Sequence, residues 1–168
     1  MRGFDTEVSL LWKRHRDDLF RYVARYSGDN DLAEDVVQEA FLKLRDRPPP
    51  NDSRLKGWLF TVATNLARDA LKLGRRREQL EAEHAHELPF PTAAADPLAQ
   101  TELEDLRGRV RRALDSLSER ERTVLLMYQE GFHHREIGEA VGTTTESVGS
   151  MIVRAAKKVA RTVGTERA

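Results

Sequence analysis

Apolar residues recur at intervals of three and four along most of the chain, a spacing that places them on one face of an α-helix. One stripe covers 8–26 and ends before a turn-rich segment, 27–30. The next covers 32–44, and Asp31 and Glu34 in front of it have the spacing of a capping box. The pattern therefore predicts a first helix that ends at this turn and a second helix that ends at about residue 45.

Three consecutive prolines, 48–50, interrupt the pattern. The stripe returns at Leu55 and continues to Leu73, just before Gly74 and the cluster Arg75–Arg77. Since proline cannot continue a helix and glycine commonly ends one, these residues predict a third long helix that ends in the arginine cluster.

The strip 79–100 has no sustained periodicity and contains three prolines and a run of alanines, so it is predicted to be a linker. Behind it lies a stripe over 103–117, and then Ser118 and Glu121 have the spacing of a capping box. The helix that this box begins is predicted to end at Gly131.

The last part of the chain has the layout of a helix-turn-helix: a short helix over 134–141, a turn at 142–144 and a longer helix over about 145–163. Apolar residues suited to holding the two helices at a fixed angle are Ile137, Ala140, Val141, Val148 and Ile152. From the spacing alone, a plain three-helix bundle is also open.

No segment alternates apolar and polar residues as a strand would, and the predicted fold class is all-α. The expected architecture is two small helical domains, a three- or four-helix bundle and a helix-turn-helix domain, joined by a flexible acidic linker. The predicted ranges are 1–78, 79–104 and 105–168.

The net charge of zero argues at first against a nucleic-acid ligand, because phosphate contacts draw on surplus Lys and Arg. The charge is unevenly distributed, however: the three ranges carry net charges of +3, −6 and +3. This pattern indicates two modules that face anions, joined by a strip that stays away from DNA.

Several functional classes have no support in the sequence. There is no cysteine, no apolar run of about 20 residues, no signal-peptide core, no glycine-rich phosphate loop and no nucleophile–base pair. His84, His86, His133, His134 and Glu136 form no recognised zinc spacing. We therefore expect a cytoplasmic protein without membrane insertion, catalytic residues, metal or cofactor.

Two helices carry side chains suited to DNA. In the helix-turn-helix, short polar residues at the start of the second helix and basic residues along it suit a major groove and its phosphates. In the third helix, Trp58, Asn65, Arg68, Lys72 and the cluster Arg75–Arg77 combine stacking, amide and basic groups, a mixture suited to separated strands. A solvated basic face, and burial of Trp58 in the core, are the alternatives.

Three motifs resemble those of the extracytoplasmic-function (ECF) sigma factors, members of the sigma-70 superfamily. Residues 31–44 resemble region 2.2, which docks on the clamp helices of the polymerase β′ subunit, and 57–77 resemble regions 2.3 and 2.4, which melt and read the minus 10 element. Residues 114–126 and the helix-turn-helix resemble region 4, which reads the minus 35 element and binds the β flap.

The resemblance implies a specificity subunit that binds core RNA polymerase and promoter DNA and is controlled by an anti-sigma factor. The implied polymerase-binding residues are Asp35, Val37, Gln38, Glu39, Phe41 and Leu42. The implied minus 10 residues are Trp58, Thr61, Asn65, Arg68, Lys72, Arg75, Arg76 and Arg77. The implied minus 35 residues are Arg135, Thr144, Thr145, Glu146, Ser147, Ser150, Met151, Arg154, Lys157 and Lys158.

The sequence departs from the family at Gly149 and Met151, where many relatives carry basic residues. This thins the minus 35 face and leaves open a sigma-like adaptor that sequesters an anti-sigma protein. A helix-turn-helix repressor is the third interpretation, although it has no use for the motif at 31–44. In the resembled family, the segment between the two domains threads into channels of the polymerase. The acidic strip is expected to do the same here, and a plain tether is the alternative.

Overall fold

The computed structural model describes residues 2–49, 54–84 and 102–165, and within them the chain forms seven helices and no strand. The helices are α1 (Arg2–Ser27), α2 (Asn30–Asp46), α3 (Leu55–His84), α4 (Glu102–Asp115), α5 (Glu119–Gln129), α6 (His134–Val141) and α7 (Thr145–Thr165). The predicted all-α class is confirmed. The part of the predicted linker that follows His84 lies outside the described residues, except for its last three positions.

Helices α1, α2 and α3 pack against one another and form the first domain. Its largest buried side chains include Tyr22 from α1 and Phe60 from α3, whose ring centroids are 5.0 Å apart. Tyr22 Oη lies 2.7 Å from Thr64 Oγ1, which in turn donates to the Phe60 carbonyl at 2.7 Å. The hydroxyls of Tyr22 and Thr64 are therefore both satisfied, and the pKa of Tyr22 is raised well above its usual range, mainly by burial.

Helices α4, α5 and α6 all contact α7 and form the second domain. Helix α5 begins as the sequence predicts, at Ser118, whose hydroxyl accepts from Glu121 N–H at 3.3 Å while Glu121 Oε2 accepts from Ser118 N–H at 3.0 Å. Lys158 on α7 donates to Glu121 Oε1 at 2.6 Å and is the main cause of the lowered pKa of that carboxyl. One acid thus caps α5 and ties it to α7.

Two predicted helix ends are wrong. The cap of α2 is Asp29, which has extended backbone and accepts from Leu32 N–H at 3.0 Å, in place of the predicted Asp31–Glu34 box. Helix α3 continues to His84 and does not end in the arginine cluster. Gly74 lies exposed inside this helix. A glycine within a helix costs about 1 kcal/mol relative to Ala, and the strong helix formers that follow Gly74 outweigh this cost.

The two domains lie against each other and their cores meet. Helix α1 contacts α5, and α3 contacts α6. The rings of Phe60 and Phe132 meet edge to face at 4.9 Å between centroids, and both side chains are buried. Contact between the domains therefore includes apolar surface removed from water, in addition to polar pairs.

None of the helices, over the part of the chain that the structure describes, has the length and apolarity needed to cross a bilayer.

Candidate nucleic-acid interface

The angle between α6 and α7 is set by a tight turn and a buried seam. Gly142 has φ +65°, a left-handed conformation that favours glycine, and Thr143 N–H donates to Gly138 O at 2.9 Å. Ile137 and Val148 are fully buried between the two helices. The other predicted seam residues, Ala140, Val141 and Ile152, are partly buried against the same core. This is helix-turn-helix geometry.

The first turn of α7 presents short polar groups to solvent. Thr144 Oγ1 accepts from Ser147 N–H at 3.3 Å, and this leaves the exposed side chains of Thr145, Glu146 and Ser150 around it. The pKa of Glu146 is lowered, first by a hydrogen bond from its own backbone N–H and then by one from Thr144. Glu146 is therefore an ionised acceptor, the group that can pair with the N4 amine of cytosine.

Basic predicted residues of this domain divide into two groups. Arg135 on α6 and Arg154 and Lys157 on α7 are exposed. Lys158 is half-buried and held by Glu121, so its ammonium points at α5. An arrangement with three exposed cations and an open first turn suits the phosphates and base edges of duplex DNA.

Met151 is buried in the core at 9% exposure, so its predicted place on the DNA face is wrong for this structure. Met151 lies about one helical turn from both Val148 and Ala155, which are buried. It therefore belongs to the face of α7 that packs against α5 and α6. Gly149, by contrast, is half-exposed, and a Cβ there would meet only the His134 ring at 3.6 Å. Its missing side chain leaves space on the surface.

Of the predicted strand-binding residues of α3, Asn65, Arg68, Lys72 and Arg75 share one side of the helix by their spacing. Asn65, Lys72 and the arginines 75–77 are exposed, and Arg68 is half-buried with Nε 3.8 Å from Asp69 Oδ1. Trp58 is half-buried and packs on the core, and Thr61 donates to Gly57 O at 2.8 Å. The basic and amide groups are thus presented outward, while Trp58 and Thr61 already have partners within the domain.

The second domain faces this side of α3. Glu119, at the start of α5, lies 3.5 Å from Lys72 Nζ and 3.3 Å from Arg75 Nη2. A cleft of about 330 Å³ between the domains is lined by Asn65 and Arg68 from one side and by Glu119, Arg120 and Gly142 among others from the opposite side. The α3 surface is therefore partly covered.

Helix α2 divides the predicted polymerase-binding residues by register. Asp35, Gln38, Glu39 and Leu42 are exposed, and Glu39 pairs with Lys43 at 3.3 Å. Val37 and Phe41 are buried, so their predicted availability to a partner is wrong here. The ring of Phe41 meets that of Trp12 on α1 at 4.8 Å, because this side of α2 closes the core against α1.

Among the described residues, no three His, Asp or Glu side chains come together in a way that could hold a metal ion. Glu136 accepts from His133 N–H at 2.8 Å, a contact that caps the start of α6. The side chains of His84 and His86 lie outside the described residues.

Sequence reasoning missed the residues that join the domains. Arg122 is 9% exposed and donates to Leu114 O at 3.1 Å and, across the interface, to Tyr26 O at 2.9 Å. Burial is the main cause of the lowered pKa of its guanidinium. The sequence did show a charged residue, Arg122, at an inward position of α5. It did not show that the partner of this residue is the carbonyl of Tyr26.

Comparison with known proteins identifies both domains. The model "Sigma-70 region 2" matches residues 11–77, and the model "Sigma-70, region 4" matches residues 107–159. Together they cover α2, the part of α3 up to Arg77, and the helix-turn-helix up to residue 159.

The relatives found include three ECF RNA polymerase sigma factors. SigE of Mycolicibacterium smegmatis is 32% identical over 148 residues, which are 86% of this chain and 56% of the relative. SigG of Mycobacterium tuberculosis is 31% identical over 173 residues, 89% of this chain and 46% of the relative. SigM of Bacillus subtilis is 24% identical over 154 residues, 90% of this chain and 92% of the relative. The chain spans about half the length of the two mycobacterial proteins.

A solved structure shares the fold across the whole chain. The sigma factor RpoE of Bartonella quintana, solved in complex with the anti-sigma factor NepR, aligns with a TM-score of 0.62 over 98% of each chain at 22% identity. A region 2 model and a region 4 model match the chain in that order, and the relatives named above are ECF sigma factors. The chain therefore belongs to the sigma-70 family, among its extracytoplasmic-function members.

Proposed function

We propose that this chain is an RNA polymerase sigma factor of the extracytoplasmic-function type, which directs core polymerase to specific promoters and starts transcription there. The observation that carries the proposal is the order of three surfaces along one chain: the polar face of α2, the basic side of α3 and the polar first turn of α7. The two family models cover the same elements in the same order.

In this proposal the exposed residues of α2 dock on the clamp helices of the β′ subunit, with Asp35, Gln38 and Glu39 as polar contacts and Leu42 as the apolar one. Leu42 is 39% exposed between polar neighbours, the mixture of a small apolar centre and polar surroundings that protein interfaces use. The second domain contacts the β flap.

Promoter contacts are divided between the domains. The first turn of α7 reads the minus 35 duplex through Thr145, Glu146 and Ser150, while Arg135, Arg154 and Lys157 neutralise phosphates. On α3, Asn65 contacts an unpaired base, and Arg68, Lys72 and the arginines 75–77 follow the backbone of the minus 10 strand. The ranges 1–78, 79–104 and 105–168 remain the proposed domains, although residues 79–84 and 102–104 of the linker range are helical.

The nucleotide chemistry and its magnesium belong to the polymerase, so the chain is proposed to have no catalytic residues and no cofactor, and to act in the cytoplasm where polymerase transcribes. An anti-sigma partner is part of the proposal. It is supported by the solved neighbour, which is a sigma factor in complex with one.

Reconstituted transcription tests the proposal. The purified chain is mixed with core polymerase and sheared DNA from its source organism, and the 5′ ends of the transcripts are sequenced. Discrete starts with two shared upstream motifs, absent without the chain, are expected. Arg154→Ala and Gln38→Ala should reduce these transcripts, and Arg21→Ala is the control because Arg21 lies on α1 and pairs with Asp18 there.

Other outcomes point to the alternatives. Polymerase binding without any start would contradict promoter selection, and binding to an anti-sigma protein alone would indicate the adaptor. A dimer that binds duplex DNA without polymerase would indicate a repressor.

A further inference from the structure

The contact between the domains uses the same cations that the proposed function assigns to the minus 10 strand. Glu119 lies within ion-pair distance of both Lys72 and Arg75, at 3.5 and 3.3 Å. A phosphate that approached these cations would meet a carboxylate already bound to them, and like charges close together repel. Glu119 would therefore compete with a phosphate for these two cations.

Further along the same side of α3, the second domain limits access to Asn65 and Arg68. Both residues line the cleft whose opposite wall includes Arg120, Thr123 and the turn glycine Gly142. A strand that runs along α3 from Asn65 to Arg75 would have to pass between this wall and the helix. The second domain and a bound strand would therefore compete for this side of α3.

Other contacts keep the domains in this arrangement. Arg25 pairs with Glu130 at 2.8 Å, and Lys56 donates to the Glu130 carbonyl at 3.2 Å. Arg111 donates to Arg25 O at 3.0 Å, and Arg122 donates to Tyr26 O at 2.9 Å. Together with the contact between Phe60 and Phe132, these bonds make a specific interface, of which the pairs of Glu119 are the exposed edge.

We propose that this closed arrangement is a built-in brake: the second domain competes with the minus 10 strand for α3, and the domains must separate before that strand binds. The inference rests on the proposed function for the identity of the ligand, but the closed state itself does not. The minus 35 residues Thr145, Ser150 and Arg154 are exposed in the same arrangement. Duplex binding is therefore expected to be independent of the brake.

Closure can be measured without DNA by energy transfer between two dyes. Because the chain has no cysteine, Arg47→Cys and Ala156→Cys supply one exposed label site in each domain without removing any native thiol. The wild-type background should give high transfer at about 0.05 M salt. Transfer should fall at about 1 M salt, where the Debye length is about 3 Å and exposed ion pairs are screened.

The decisive variant is Glu119→Gln, which removes one charge from a half-buried side chain at the first turn of α5. It should lower the transfer at low salt, and Glu139→Gln, an exposed residue of the same domain, is the charge-matched control. Glu119→Lys combined with Lys72→Glu and Arg75→Glu reverses the pairs and should restore closure. Circular dichroism checks that each variant keeps its helices.

Competition is then measured with a fluorescent single strand, taken from the non-template strand of a promoter mapped in the transcription experiment. Glu119→Gln should bind it about two- to five-fold more tightly than wild type, the range expected for the loss of surface ion pairs. Glu139→Gln should not. The affinity of both variants for the minus 35 duplex should equal that of wild type.

Low energy transfer in the wild type at every salt concentration would overturn the closed state, and unchanged strand affinity in a Glu119→Gln variant that has opened would overturn the competition. If no promoter is mapped, the proposed function has failed and the energy-transfer result still decides whether the chain closes.

Discussion

The two candidate DNA surfaces of this protein differ in what covers them. On α7, the first turn is open to solvent, and Arg154 and Lys157 face outward. On α3, Lys72 and Arg75 are paired with Glu119 of the other domain, and Asn65 lines a cleft between the domains. Equivalent side-chain chemistry is thus available at one site and already engaged at the other. Residue type alone does not define a binding surface, since packing decides which groups remain accessible.

The largest expected effect comes from removing the guanidinium of Arg122, which joins the second domain to the first through Tyr26 O. Arg122→Met keeps the aliphatic stem of the side chain but leaves Tyr26 O and Leu114 O without this donor. We expect a loss of about 2 to 3 kcal/mol in the free energy of unfolding, measured in urea, because hydrogen bonds from a charged group are lost in a buried place. Arg107→Met, exposed on α4, is the control, and an equal loss in both variants would contradict the assignment.

Two glycines of the helix-turn-helix should respond in opposite directions to alanine. A Cβ at Gly138 would lie 2.9 Å from Thr143 O in the turn, and this overlap with backbone should cost about 1 to 3 kcal/mol. A Cβ at Gly149 finds ordinary contact with His134, so Gly149→Ala should stabilise α7 by about 0.5 to 1 kcal/mol. Thermal unfolding of both variants measures the difference. A loss at Gly149 as large as that at Gly138 would contradict this account.

On the solvent-exposed surface of α7, Arg154→Ala removes one cation. If it contacts a phosphate, the slope of log affinity against log salt for minus 35 duplex should decrease in magnitude by about 1. Binding should weaken about equally on matched and mismatched duplexes, since phosphates carry no base information. Fluorescence anisotropy over a salt series measures this, with Arg21→Ala as the control. A change of sequence preference would instead assign Arg154 to a base.

The smallest expected effect is a loss of folding stability at acid pH. The pKa of Asp115 is lowered, first by its hydrogen bond from Arg111, and the pKa of Glu121 is lowered, first by Lys158. Each folded carboxyl therefore binds its proton more weakly than the unfolded one. Their contribution is complete above the ordinary values of 3.8 and 4.5 and is lost as the pH falls through the lowered folded values.

Thermal unfolding followed from neutral to acid pH measures this contribution. The melting temperature should fall below about pH 4.5, and by less in Glu121→Gln, which has no proton to take up at this position. A parallel fall in wild type and variant would show that the pair with Lys158 does not carry the effect.

Much of the fold followed from local pattern. The short helix over 134–141, the capping box of Ser118 and Glu121, and the glycine turn at Gly142 were predicted and are confirmed, because each depends on residues only a few positions apart. The end of α3 was predicted wrongly, since an exposed glycine is a weak stop when helix formers follow it. The exposure of Met151 and Phe41 was wrong as well, because a resemblance names positions without their burial.

By itself, the sequence determined the helical class, the capping box of α5, the two-module order and the family, because these depend on periodicity and on residues adjacent along the chain. Only the tertiary structure decided what covers α3. Glu119 meets Arg75 across 44 positions, and Arg122 meets Tyr26 across 96. Helical periodicity predicts which side chains share a face, but it carries no information about which distant surface comes to lie against that face.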